Sequence, residues 1–271
     1  MRSRSCITTP RPIPPGPRSG EVVKTPVYER HTFVYLNLSG RKRIFEELAG
    51  KGFDEREIGE VLLPEQYNNG GGIMAAIPGV ARREESEPSE GRIPLGFASW
   101  RSSESGRLRF ATFALPGEII AAVTPGDVAA KAAALDSAAT GRSPAIMAFT
   151  HLSGAWSDLP LKLGLWGSAA LEIETGYAYT HQWSDLDLLL LPVGPVDRSA
   201  FQRCLNMVLA TEKKFDLRID AELLVPGGYG VSLKELLSGS STALGKGLTD
   251  VVLLQKTELF AGLAGNQADI V

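Results

Sequence analysis

The chain has 271 residues, 44% hydrophobic and 22% charged, with a formal net charge of −3, which allows one large or two modest domains of ordinary globular balance. The slight acidity argues against a general electrostatic partnership with nucleic acid or a membrane surface, and no apolar run reaches the ~18 residues of a bilayer span. The two cysteines, Cys6 and Cys204, are too few for a disulfide framework and form no zinc pattern; with no apolar core of a signal peptide behind the N-terminal arginines, a cytoplasmic location is the expectation.

Residues 1–26 are rich in Pro, Arg, Ser and Thr, a composition that cannot bury enough apolar surface to order itself, and read as a flexible tail. Alternation over His31-Thr32-Phe33-Val34-Tyr35-Leu36 predicts a strand, and Arg43 to Ala49 a short helix. Asn68-Asn69-Gly70-Gly71-Gly72 is a turn and no dinucleotide fingerprint. The charged stretch Ala81 to Glu90 reads as an exposed loop. Leu95 to Arg101 and Leu108 to Leu115 read as two strands of a hairpin turning at Ser102 to Gly106. These elements make a smaller mixed α+β domain over 27–120 in which no polar constellation spells out chemistry.

Thr124-Pro125-Gly126-Asp127 has the form of a helix start, with a hydroxyl cap, Pro at the first position and an acid at the third. The alanine-rich stretch through Ala139 extends that helix, and Ala145 to Trp156 forms another. Leu161 to Trp166 is a strand broken by Gly167-Ser168, and Ala169 to Glu174 a helix that Gly176 stops. A strand from Asp185 to Leu191, a helix from Ala200 to Lys213 and a strand from Asp216 to Val225 follow. Residues 121–271 thus read as an α/β domain on a mixed or parallel sheet.

Asp185 and Asp187 are the residues that demand an explanation. They sit in Ser184-Asp185-Leu186-Asp187-Leu188-Leu189-Leu190-Leu191, where flanking leucines mark a buried strand. Buried ionised carboxylates cost several kcal/mol each unless paired or bound to metal. Alternation points both the same way, roughly 7 Å apart along the strand, and two like charges that close invite a divalent cation. In Asp216-Leu217-Arg218-Ile219-Asp220-Ala221-Glu222-Leu223 the polar residues again share a face, so Asp220 and Glu222 add two more acids if this strand lies beside the first. Taken alone they are equally an edge strand with a solvated polar face. Magnesium suits such oxygen ligands and keeps sites for water and phosphate, and paired ions can clamp both oxygens of a phosphoryl transfer. Gly167-Ser168, between strand and helix, offers close backbone approach and helix-start N–H groups for an anion; alone it is a plain helix cap.

Gly167-Ser168 followed by Asp185-Leu186-Asp187 and a later acidic strand resembles the signature of the nucleotidyltransferase superfamily with the polymerase-beta-like fold. Three segments are similar to the holo-acyl-carrier-protein synthases of malonate decarboxylase, also called phosphoribosyl-dephospho-CoA transferases. They are Trp166 to Gly176, Ser184 to Leu189 and Arg218 to Leu223, with Val251 to Thr257 as a closing match. The likeness is good over residues 160–260, weaker over 28–120 and absent from the tail, and the first domain is where recognition of a protein substrate differs most readily.

The resemblance implies that Asp185 and Asp187 hold Mg2+, with Asp220, or else Glu222, as third acid. It implies that Gly167 and Ser168 bind the triphosphate arm of 2'-(5''-triphosphoribosyl)-3'-dephospho-CoA. A serine of the apo acyl-carrier subunit then attacks the α-phosphate and pyrophosphate leaves. Glu222 and Lys256 are further candidate substrate-binding residues, and Lys246 another cation for phosphate, against the ordinary role of lysine as solvated surface. His31, His151 and His181 are scattered without ligand spacing and read as structural, although His181, four residues before Asp185, is within reach of the site. Gly239 to Gly247 has neither the spacing nor the Ser/Thr of a P-loop. Other readings are a magnesium-dependent nucleotidyltransferase acting on a small molecule, RNA or protein, and a non-catalytic binding member of the superfamily, which the full acidic set argues against.

Overall fold

The structure, a computed structural model, describes residues 28–67, 76–83, 91–103, 106–135 and 143–265. The expected tail, the Asn68 to Gly72 turn, residues 84–90 of the charged stretch, the hairpin tip at 104–105 and positions 136–142 lie outside the described residues.

The first sheet is antiparallel throughout. Its strands are β1 (Phe33–Leu36), β2 (Gly79–Ala81), β3 (Ile93–Ser103), β4 (Gly106–Ala114) and β5 (Ile119–Val123), in the order β4-β3-β2-β1-β5. The helix expected from Arg43 starts earlier, as α1 (Leu38–Gly50), because the Asn37 side chain accepts the Gly40 N–H and so caps it. Two helices without a clear sequence signal follow, α2 (Glu55–Leu62) and α3 (Pro64–Tyr67). Val34, Ile44, Leu48, Ile58, Leu95 and Phe97 are among the side chains of this core.

The second half opens with α4 (Pro125–Ala133), started by the reciprocal cap of Thr124 and Asp127. That helix ends at Ala133, with Ala134 as its C-cap, and the rest of the expected extension, from 136 to Ala139, lies outside the described residues. Ala133 and Ala134 are already exposed, and helical turns that bury nothing are marginal even in alanine. Then come α5 (Pro144–Ala155), β6 (Leu161–Trp166), α6 (Gly167–Thr175), β7 (Leu186–Pro192), α7 (Arg198–Phe215) and β8 (Ile219–Val225). The end is β9 (Tyr229–Ser232), α8 (Leu233–Leu236), β10 (Thr242–Lys246), β11 (Val251–Gln255) and α9 (Lys256–Leu263).

The sheet order is β11-β10-β9-β8-β7-β6, with β7–β8 the one parallel pair among the described residues, so the sheet is mixed. Leu186, Leu188, Leu190, Ile219 and Leu223 are all fully buried in its core with side chains of α5, α6 and α7. Cys204 joins that core as expected, and burial pushes its thiol up to about 11.

The two sheets meet through polar as well as apolar contacts. Tyr35 donates to Glu174 at 2.8 Å, Lys131 reaches the same carboxylate at 3.1 Å, and Tyr179 donates to the Ala98 carbonyl at 3.0 Å. Trp100 stacks on Tyr177.

Candidate active site

The parallel pair sets the geometry. Its register puts Asp187 opposite Asp220 and Leu189 opposite Glu222. With the leucines at 186, 188 and 190 turned into the core, alternation sends Asp187, Asp220 and Glu222 to the other face. Asp187 and Asp220 therefore stand side by side, one strand spacing of about 4.8 Å apart at the backbone. On the far side of β7, antiparallel β6 brings Trp166 opposite Asp187. Gly167 follows at φ 71°, and a Cβ built there would overlap the Asp187 carboxylate. Glycine is needed here twice over, for the left-handed backbone and for the space. Asp185 lies exposed just ahead of β7, close enough to bear on the charge of Asp187.

That crowding is visible in the ionisation of Asp187. Burial first, and then the charges of Asp220, Asp185 and Glu222, together lift its carboxyl to about 7, with only Arg218 opposing. Arg218 is spent mainly on Asp220, which it grips from Nη2 at 2.8 Å to both oxygens. Among the described residues no three His, Cys, Asp or Glu side chains already stand as a group able to hold a metal. The donors still fit magnesium in kind: hard carboxylate oxygens, short of counter-charge, forming an open pair that leaves positions for water and phosphate.

The helix start lies against this pair. Trp166 takes the N-cap position of α6 without giving a side-chain bond, so first-turn N–H groups are available to an anion. Half-buried Ser168 lies 3.5 Å from Nη1 of Arg107, which comes from β4 in the first sheet. Arg107 is anchored by donating from Nη2 to the Tyr179 carbonyl at 2.8 Å, with its guanidinium over the Tyr179 ring. Its own pKa is lowered, chiefly by burial. Nothing in the sequence around Gly106-Arg107 signals this cation.

Glu222 faces the same way one strand step further on, but cations surround it. Lys246 approaches at 3.1 Å and Arg30 at 3.4 Å, and Nε2 of His31 stands at 3.6 Å. Burial alone would raise its carboxyl; the facing His31 ring, Arg30 and Lys246 outweigh that and hold it at about 2. His31, its pKa lowered mainly by burial, stacks on Trp166 with ring centroids 3.7 Å apart. The histidine is thus a structural link between the sheets. His181 accepts the Trp183 N–H through Nδ1 within the turn before Asp185, so its ring serves that turn.

Lys256 is not brought to the carboxylates. It lies beyond β11, the edge strand, and is 6% exposed. Its ammonium donates to the Glu235 carbonyl and to both the carbonyl and Oγ of Ser238. All three donors are used, tying down the end of α8, so a phosphate role is corrected to a structural one. Lys256→Ala is expected to lower stability by about 1–3 kcal/mol while leaving the KM for any phosphate-bearing donor unchanged, as thermal unfolding and steady-state kinetics would show. A raised KM with an unchanged Tm would restore the phosphate role.

Residues 132–257 match the family described as phosphoribosyl-dephospho-CoA transferase MdcG C-terminal domain. The phosphoribosyl-dephospho-CoA transferase of Pseudomonas aeruginosa is 36% identical over 112 residues, 41% of this chain, and the match spans only about half of that relative, 51%. The protein of the same name from Xanthomonas euvesicatoria is 29% identical over 189 residues, 69% of this chain and 83% of the relative. A third such transferase, from Klebsiella pneumoniae, is 27% identical over 146 residues, 54% of this chain and 67% of its own. No solved structure matches the chain.

Proposed function

We propose, from the likeness of residues 132–257 to the MdcG C-terminal domain family, that the chain is a phosphoribosyl-dephospho-CoA transferase whose acceptor is the apo acyl-carrier subunit of malonate decarboxylase. The donor is 2'-(5''-triphosphoribosyl)-3'-dephospho-CoA. We read the second sheet as a nucleotidyltransferase core of the polymerase-beta-like kind. The observation that carries the proposal is the in-register pairing of Asp187 with Asp220 directly beside the Gly167 helix start.

In this reading the first-turn N–H groups of α6 and the Ser168 hydroxyl hold the outer phosphates of the triphosphate arm, with Arg107 adding positive charge at Ser168. Asp185, Asp187 and Asp220 would hold Mg2+, which supplies Lewis-acid charge stabilisation at the reacting phosphate. The carrier serine Oγ forms a bond to the α-phosphorus, the bond from that phosphorus to the bridging oxygen breaks, and pyrophosphate leaves with the bond electrons. The serine proton goes to solvent or to Asp220. The exposed side of the pair, where Asp185 lies, is the side open to a carrier protein. The decisive assay incubates the protein with Mg2+, donor and apo carrier subunit and weighs the carrier. The expected result is a gain equal to one phosphoribosyl-dephospho-CoA group. No gain, together with pyrophosphate release from ATP or CTP alone, would replace this reading with a different nucleotidyl transfer.

A further inference from the structure

Trp183 stands two residues before Asp185, on the turn that leads from α6 into β7, and is 72% exposed. An indole left in water forgoes the burial of on the order of 200 Å². A single exposed apolar residue is common on any surface, but this one is held in place. The His181 N–H donates to Ser184 Oγ at 3.0 Å, and the Ser184 N–H returns to the His181 carbonyl at 3.1 Å. The Trp183 N–H itself donates to Nδ1 of His181 at 3.1 Å, and Ser184 is buried. The backbone of the turn is thus fixed while His181, Gln182 and Trp183 face solvent. A side chain presented in this way loses less freedom when a partner covers it.

The turn is also placed at the chemistry. It delivers the chain to the end of the sheet where β6 stops, β7 and β8 begin and the Gly167 helix start opens. The Leu186 N–H donates to the Arg218 carbonyl at 2.9 Å, so Arg218, its side chain 64% exposed, stands at the same end. Trp183, Asp185 and Arg218 therefore form an exposed rim at the end of the sheet that carries the acid pair. Tryptophan and arginine are the side chains that most often carry the binding energy of protein interfaces.

Reach decides what meets this rim. Attack on a phosphorus needs the serine Oγ within about 3.5 Å, which brings the backbone of an acceptor serine to within roughly 6 Å of it. The Trp183 Cα is at most about 7 Å from that of Asp185. A folded protein brought so close meets the turn, whereas a small donor is held in concave parts of a site.

We infer that Trp183 is the anchor on which the apo acyl-carrier subunit docks, its indole buried against the carrier surface beside the acceptor serine. The inference rests on the transferase reading above and adds to it the contact that selects the acceptor. The acids and the Gly167 helix start then act on the donor, and the turn before Asp185 acts on the protein that receives the group.

The test titrates the full chain with apo carrier subunit whose acceptor serine is changed to alanine, in the presence of donor and Mg2+, so that binding is read apart from transfer. Trp183→Ala is expected to raise the Kd of the carrier about thirtyfold, with Tm and the Kd of the donor unchanged, and Trp183→Phe to lie between. Leu253→Ala removes an equally exposed side chain, 70%, from β11, three strands from β8, and is expected to change nothing. Carrier is also expected to shield Trp183 from iodide quenching of its fluorescence, and donor alone to leave it open. No binding of carrier by the wild type, or an unchanged carrier Kd in Trp183→Ala, would overturn the inference. A weaker Kd for the donor, or shielding by donor alone, would overturn it in favour of an indole stacked on the donor. The mass assay with unaltered carrier reports separately on transfer: Trp183-dependent binding with no carrier modification would refute the reaction and leave the docking surface standing.

Discussion

An Asp187→Asn variant is expected to lose transfer to the carrier by about a thousandfold or more, since it removes a charge aimed at the reacting phosphate and its cation, and yet to be more stable than the wild type at pH 8. The second half follows from the ionisation of Asp187. Its folded pKa is about 7, against an ordinary value of 3.8, chiefly through burial. A raised acid pKa means that ionisation disfavours the folded state. The penalty is absent below about pH 4, grows as pH rises towards 7 and is constant above that. Allowing for screening and for sharing among the neighbouring acids, relief by the neutral amide is on the order of 2 kcal/mol at pH 8, or roughly 5 °C in Tm for a chain of this size. The Tm difference between variant and wild type should close on acidification to pH 4. Added Mg2+ should raise the Tm of the wild type at pH 8 and leave that of the variant nearly unmoved, a readout that does not depend on turnover. Parallel pH curves for the two proteins would refute the crowded-carboxylate picture.

Gly167→Ala is the second large effect. The left-handed φ of 71° costs an alanine about 1–2 kcal/mol, and the new methyl would occupy the place of the Asp187 carboxylate. The carboxylate has to turn away, and displacement of a reacting-site group by about 1 Å is enough for a hundredfold loss of rate. Gly176→Ala is the matched control. Gly176 has a φ of 79° but nothing within 4 Å of the added carbon, so it should lose similar stability and keep activity. Equal activity losses in the two variants would mean that the backbone, and not the carboxylate, is what Gly167 protects.

Much of the second half was legible from local pattern. The strand Leu161–Trp166 falls on its expected residues. The helix expected over Ala169 to Glu174 is there, starting two residues earlier at Gly167, and its stop at Gly176 followed from glycine placement, as β7 and β8 did from their apolar residues. Asp185 and Asp187 stood out because their neighbours are leucines, although only Asp187 lies within β7 and Asp185 is exposed just ahead of it. What pairing adds is register, which no local pattern carries: Asp187 meets Asp220, whereas Glu222 is drawn off by Arg30 and Lys246. Arg107 and His31 act across the junction of the sheets, and their partners lie far away in sequence, at Ser168, Tyr179, Glu222 and Trp166. Lys256 misled because a lysine spent on carbonyl oxygens looks in sequence like any other.

The parallel pairing of β7 and β8 also bears on how the chain acquires its site. Antiparallel neighbours such as β6 and β7 zip together locally, but a parallel pair needs a crossover, here α7 with its 18 residues. Bringing Asp187 and Asp220 together therefore means closing a long loop of chain, and non-local pairs of this kind slow folding.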